Sequence, residues 1–91
     1  MTYNDVADMA EDVALNRRIT AAVAGEGEVA PAYWVSLWTW SVVSQPGWSA
    51  AWASAVAGGV EDPGADEGVI TDGMILSGVQ AVLASIPPPV A

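Results

Sequence analysis

The sequence lacks several side chains on which catalysis and covalent cross-linking depend. None of its 91 residues is cysteine, histidine or phenylalanine, and lysine is absent as well. Without cysteine, the chain forms neither a disulfide framework nor a thiolate zinc site. Without histidine, it lacks the usual proton shuttle and the commonest metal ligand. P-loop, nucleophile-elbow and dinucleotide-binding motifs are also missing. We therefore expect a protein that is not an enzyme and that holds no cofactor and no metal.

Positive charge is scarce. Arg17 and Arg18 stand against eleven acidic residues, which gives a formal net charge of −9. Nucleic-acid binding needs a basic surface, so we expect no nucleic-acid partner. The two arginines are either ordinary solvated charges, paired with nearby acids such as Glu11 and Asp12, or anchors for a carboxylate, which a guanidinium binds through two hydrogen bonds. They are candidate ion-pair anchors.

Residues 29–60 carry no charge and contain every tryptophan of the chain: Trp34, Trp38, Trp40, Trp48 and Trp52. Pro31 suits a first helical turn, so a helix is predicted over 31–44. Ser44 is expected to cap a second helix that runs to Ala57 and ends at Gly58 and Gly59. Because the connection is so short, the two helices should pack on each other as a helical hairpin.

Apolar residues elsewhere recur at helical spacing. A first helix is predicted over 3–10, with an apolar stripe of Val6, Met9 and Ala10. A second helix, capped by Asp12 and ending at Gly25, has the stripe Leu15, Ile19, Ala22 and Val23. The last helix, capped by Thr71, has the stripe Ile75, Val79, Val82 and Ile86, widened by Leu76 and Leu83. Its small residues should allow a close approach of the tryptophan hairpin: Gly73, Ser77, Gly78 and Ala81.

No segment shows the alternation of a β-strand. The predicted fold is all-α, a compact bundle of four to five short helices with a Trp-rich central helical hairpin. Residues 1–86 form a single helical domain, and 87–91 are a Pro-rich tail. The acidic residues of 61–72 suggest a calcium site, but their spacing differs from an EF-hand loop. The main interpretation is a solvated surface loop, and cation binding there stays open.

The tryptophans exceed what a domain of this size is expected to enclose, so some should contact another protein. The candidate interface residues are Tyr33, Trp34, Trp38, Trp40, Trp48 and Trp52. Alternatively, all five tryptophans build the core of a monomer. The uncharged run before Pro46 is shorter than the about 20 apolar residues of a membrane span, and acids flank it, so no membrane contact is expected.

Four segments carry a resemblance that extends over nearly the whole chain: DVADMA at 5–10, PGWSAAWASA at 46–55, DPGAD at 62–66 and VITDGMILS at 69–77. They resemble small acidic helical proteins encoded in the virion-gene regions of tailed phages of actinobacteria. The resemblance implies a structural subunit of the virion, assembled in the host cytoplasm, that decorates or joins larger capsid or tail proteins. It implies protein partners, by self-association or on those larger proteins. The alternatives are a small holin-like membrane protein and a soluble helical protein outside the virion.

Overall fold

A computed structural model describes residues 3–27 and 39–85, with the backbone alone for 3–5. The helices are α1 (Tyr3–Glu11), α2 (Val13–Gly25), α3 (39–43), α4 (Trp48–Ala57) and α5 (Asp72–Ser85). No strand occurs within these two ranges. The chain is thus a small all-α bundle, as predicted. In it α2 packs on α5, and α1 packs on both α4 and α2.

The junction of α1 and α2 is fixed by local polar contacts. The Leu15 amide donates to Asp12 Oδ1 at 2.8 Å, which confirms Asp12 as the N-cap. The Asn16 side-chain amide donates to the carbonyls of Ala10 and Asp12 at 2.7 and 2.8 Å. These bonds satisfy backbone groups that would otherwise be unpaired where one helix ends and the next begins. A single residue is therefore enough to connect the two helices.

Helix α2 ends at Gly25, as predicted, and a left-handed glycine follows two residues later. Gly25 is still helical, and the left-handed glycine is Gly27, with φ of 82°. At the end of α4 the prediction is also confirmed. Gly59 has φ of 92°, its amide donates to the Val56 carbonyl, and the Val60 amide donates to the Ala55 carbonyl. This pair of bonds is the Schellman arrangement, which needs a residue that tolerates positive φ.

The prediction that Ser44 caps α4 is wrong. The Ser44 hydroxyl donates back to the Trp40 carbonyl at 2.6 Å, so it is engaged with α3 and not with α4. The N-cap of α4 is Gly47, which has φ of 93° and no side chain to cap with. A left-handed residue between the two helices favours glycine over serine, so the turn 44–47 takes its geometry from Gly47. The predicted start of this hairpin, residues 31–38, lies outside the described residues.

The core is built from the predicted stripes, and Trp48 and Trp52 expose only 3% and 7% of their surface. Its buried apolar residues are Val6, Met9, Leu15, Ile19, Val23, Val42, Val43, Trp48, Trp52, Ile70, Ile75, Val79 and Val82. The predicted contribution of Leu76 is wrong, because it is 44% exposed. Leu83 packs against the core, and Ile86 and the tail 87–91 lie outside the described residues.

Helix α5 approaches the α3–α4 hairpin closely at Gly78. A Cβ at this position would lie 2.9 Å from Val42 Cγ1 and 3.5 Å from Trp48 Cζ2. A Cβ at Gly73 would meet only Thr71 Oγ1, at 3.8 Å. The predicted close approach is therefore confirmed at Gly78 and does not extend to Gly73. The cap of α5 is Thr71, whose Oγ1 accepts from the Met74 amide at 3.1 Å.

Candidate interaction surface

The structure separates the predicted interface residues into two groups. The rings of Trp48 and Trp52 lie in the core of this chain, which leaves almost no surface for a partner, and we therefore remove both from the candidate interface. Trp40 is 37% exposed and stays a candidate. Tyr33, Trp34 and Trp38 lie outside the described residues, so their assignment to an interface stays a prediction.

The two candidate ion-pair anchors have different surroundings. Arg18 points across to the loop before α5 and donates to the carbonyls of Gly64 and Ile70 at 2.7 and 2.6 Å. It also forms an ion pair with Asp72 Oδ1 at 3.0 Å. Neither of the nearby acids named in the sequence analysis is its partner. Arg18 therefore holds a distant segment on α2, and we call this set of bonds the polar contact.

The acidic loop, residues 61–71, is attached to α2 more closely than its composition suggests. A Cβ on Gly64 would clash with Asp12 Oδ1 and would lie 3.0 Å from Leu15 Cβ, so only glycine fits there. Pro63 and Ile70 are fully buried. The loop is thus docked by its apolar residues and by the polar contact. Its acidic side chains stay exposed, and only that part of the solvated-loop interpretation holds.

Asp12 shares this region with a second carboxylate. Burial, together with a hydrogen bond to Asp62, raises the pKa of Asp12 above its ordinary value of 3.8. The hydrogen bond from the Leu15 amide acts in the opposite direction, because it favours the charged form. The N-cap of α2 is therefore expected to change its protonation at a higher pH than an ordinary aspartate would.

Cation binding finds no support in the part of the chain that the structure describes. Within 6–27 and 39–85, no group of three or more acidic side chains has the arrangement needed to hold a metal ion. The acidic loop uses its own atoms for internal turns, since Asp66 Oδ1 accepts from the Gly68 amide at 2.8 Å. These acids are therefore better described as an exposed charged surface.

A shallow groove of about 640 Å³ runs along the outer face of α2, beside the end of α1. Val13, at the start of α2, is 63% exposed, and Arg17 is exposed one turn later. The groove is lined by Ala10, Glu11, Val13, Asn16, Arg17, Thr20, Ala21 and Ala24. We call this surface the α2 groove. Helix α2 thus carries apolar side chains on its outer face as well as on its buried one.

A second depression, of about 550 Å³, lies in the acidic loop and is open to solvent. It combines carboxylates with two small apolar side chains. Its lining residues are Val60, Asp62, Ala65, Asp66, Glu67 and Gly68. We call it the acidic recess. Its acids differ from Asp72, which is paired with Arg18.

Sequence reasoning did not find the α2 groove, although its signal was present. Val13, Arg17, Ala21 and Ala24 follow one another at steps of four, four and three residues, which is the spacing of one helix face. The stronger stripe of Leu15, Ile19 and Val23 predicted the buried side of the helix. The alanines on the other side did not indicate whether that side forms a contact surface. Small side chains are informative only when the neighbouring structure shows that they line a depression.

No protein-family model, curated protein or solved structure matches this chain. Among the described residues, no helix combines the length and the apolar character needed to cross a membrane.

Proposed function

We propose that the chain is a non-catalytic structural subunit of a tailed-phage particle, where it decorates or joins larger capsid or tail proteins. The resemblance of four segments to small acidic phage proteins provides the biological setting. The physical support is a set of large apolar side chains that are exposed and lie outside the buried core of the described residues. These exposed side chains are Val13, Trp40, Val56 and Leu76, at 63, 37, 52 and 44% of their surface.

This observation points to protein contacts because the four residues lie on different helices. Val13 belongs to α2, Trp40 to α3, Val56 to α4 and Leu76 to α5. Single exposed apolar residues are common on any protein, but here one such residue lies on each of four helices. A subunit that touches several neighbours in an assembly would cover such side chains on more than one face.

The test is a quantitative mass-spectrometric census of purified particles of the phage that encodes the chain. We expect the chain to co-sediment with the particles and to occur in a fixed copy number. A copy number matching a ring would indicate a vertex or neck, and a much larger one would indicate the shell or tail tube. Recovery of the chain only in host envelopes or in the particle-free supernatant would contradict the proposal.

A surface variant sharpens this test. Leu76→Ser removes an exposed apolar side chain from α5 and leaves the buried stripe of that helix unchanged. We expect reduced incorporation of Leu76→Ser into particles. The matched control is Ser77→Ala, an exposed neighbour on the same helix, which should be incorporated as the wild type is.

A further inference from the structure

Among the described residues, the Arg17 side chain has no ion-pair or hydrogen-bond partner. The chain has two basic residues. Arg18 is engaged with Gly64, Ile70 and Asp72, whereas Arg17 is exposed in the α2 groove and takes part in no ion pair or hydrogen bond with the described residues. In a chain with a net charge of −9, this is the single position where an uncompensated positive charge faces solvent on the described surface.

The acidic recess has exposed negative charges that Arg18 does not pair with. Its carboxylates are exposed, and the arginine nearest to them in the fold is committed to Asp72. Asp62 faces Asp12, and Asp66 Oδ1 accepts from the Gly68 amide, which leaves Glu67 and the second carboxylate oxygen of Asp66 to bind a positive charge. The described residues offer no arrangement of acids that would hold a metal ion there. A guanidinium, which binds carboxylates through two parallel hydrogen bonds, suits this recess.

The apolar parts of the two surfaces also correspond. Val13 and Ala21 flank Arg17 along the α2 groove. Val60 and Ala65 flank the carboxylates in the acidic recess. A contact between groove and recess would therefore cover Val13, which is 63% exposed, and would pair Arg17 at the same time. Apolar burial would supply affinity, and the ion pair would set the register.

The α2 groove is poorly suited to pairing with itself. Arg17 lies near the middle of its lining residues, so a two-fold axis centred on the groove would place Arg17 against the same residue of the other copy. Like charges in contact oppose such an interface. The groove therefore needs a different surface as its partner, and the acidic recess provides the missing charge.

We propose that the α2 groove of one copy receives the acidic loop of a second copy of this chain, with Arg17 bound by Asp66 and Glu67. The contact deepens the proposed function by giving the particle subunit its neighbour, and its place in a particle rests on that function. The contact itself belongs to the isolated chain and is measured there.

The experiment is sedimentation equilibrium of the full-length chain over a wide concentration range. We expect the mean mass of the wild type to rise with concentration. Arg17→Glu and Glu67→Arg should each weaken self-association about ten-fold or more, because each places like charges across the contact. Both residues are exposed and outside the core, and far-UV circular dichroism would verify that both variants are folded.

An equimolar mixture of the two variants provides the decisive control. The unmutated groove of Glu67→Arg can then meet the unmutated recess of Arg17→Glu, and the two reversed surfaces also present opposite charges to each other. One reversal lowers the net charge by as much as the other raises it, so the mixture has the same mean charge per chain as the wild type. We expect association to return only in the mixture.

Three outcomes would overturn the contact: a wild type that stays monomeric at every concentration, variants that associate as the wild type does, or a mixture that stays monomeric. None of these outcomes bears on the particle census. A chain found in particles at fixed copy number but monomeric in solution would retain the proposed function and lose this contact. A chain that self-associates in solution but is absent from particles would retain this contact and lose the proposed function.

Discussion

The acidic loop and helix α5 follow each other in sequence, yet they are held on the rest of the molecule in different ways. The loop is held on α2 by the polar contact, in which the Arg18 guanidinium donates hydrogen bonds to two carbonyls and forms an ion pair with a carboxylate. Helix α5 meets the hairpin through an apolar contact, in which Gly78 lies against Val42 and Trp48. The apolar contact follows from local spacing, whereas the polar contact depends on partners far apart in sequence.

The largest loss of stability is expected from substitutions in the apolar core. Trp52→Ala should lower the free energy of unfolding by about 3–5 kcal/mol, since it removes a large buried ring and leaves a cavity. Trp40→Ala is the matched variant and should cost clearly less, because that ring is 37% exposed. Urea denaturation of both variants measures the difference. Equal losses would mean that Trp52 is not a core residue.

Loss of the polar contact should cause the second-largest loss of stability. Arg18→Met keeps much of the apolar stem but leaves the carbonyls of Gly64 and Ile70 without their donor, at a cost of about 2–3 kcal/mol. Arg17→Met, one residue earlier and exposed, should stay within about 0.5 kcal/mol of the wild type. The same denaturation experiment compares them. A loss for Arg17→Met as large as that for Arg18→Met would refute the distinction between the two arginines.

The close approach at Gly78 predicts a smaller effect whose sign differs between two glycines of α5. Gly78→Ala should destabilise by about 1 kcal/mol, because overpacking against Val42 costs more than the gain in helix propensity. Gly73→Ala has open space and should be neutral or stabilising by up to about 1 kcal/mol. Thermal unfolding of both variants checks this. Stabilisation by Gly78→Ala would show that α5 does not lie this close to the hairpin.

The smallest effect concerns the pH dependence of the loop attachment. Because the pKa of Asp12 is raised in the folded state, its contribution to stability is full below its ordinary value of 3.8 and is lost as pH rises through the folded pKa. Above that pKa the charged form of Asp12 is disfavoured by burial and by Asp62, so Asp62→Asn should raise the melting temperature at neutral pH. The gain should shrink on acidification.

The control for this pH profile is Glu67→Gln, which removes an exposed acid from the same loop without touching Asp12. Its effect on the melting temperature should vary less with pH through the titration of Asp12. If Glu67→Gln and Asp62→Asn gave the same profile, the gain would come from net charge rather than from the Asp12–Asp62 pair.

Local patterns predicted much of this fold. Asp12 and Thr71 act within three residues of the amides that they cap, so their role follows from the sequence. Leu76 was misjudged because α5 is apolar on many sides, and spacing alone does not tell which side faces the core. At the turn after α3, Ser44 is a good cap by type, but the left-handed backbone at Gly47 decided where α4 begins.

The interaction surfaces depended on information that no local pattern contains. Arg18 and Asp72 are 54 residues apart, and nothing in their spacing selects this pair over nearer acids. The α2 groove and the acidic recess became recognisable only once the alanines, Arg17 and the loop carboxylates had positions in space. The predicted interface at Tyr33, Trp34 and Trp38 lies outside the described residues and stays a prediction.

The sequence separation bridged by Arg18 also has a kinetic consequence. Its bonds to Gly64 and Ile70 close segments of 46 and 52 residues, and ordering so long a chain is entropically costly before other contacts exist. We expect these bonds to form after the rate-limiting step of folding, so that Arg18→Met accelerates unfolding and leaves the refolding rate nearly unchanged. The guanidinium would then determine how long a folded molecule persists and have little influence on how quickly it forms.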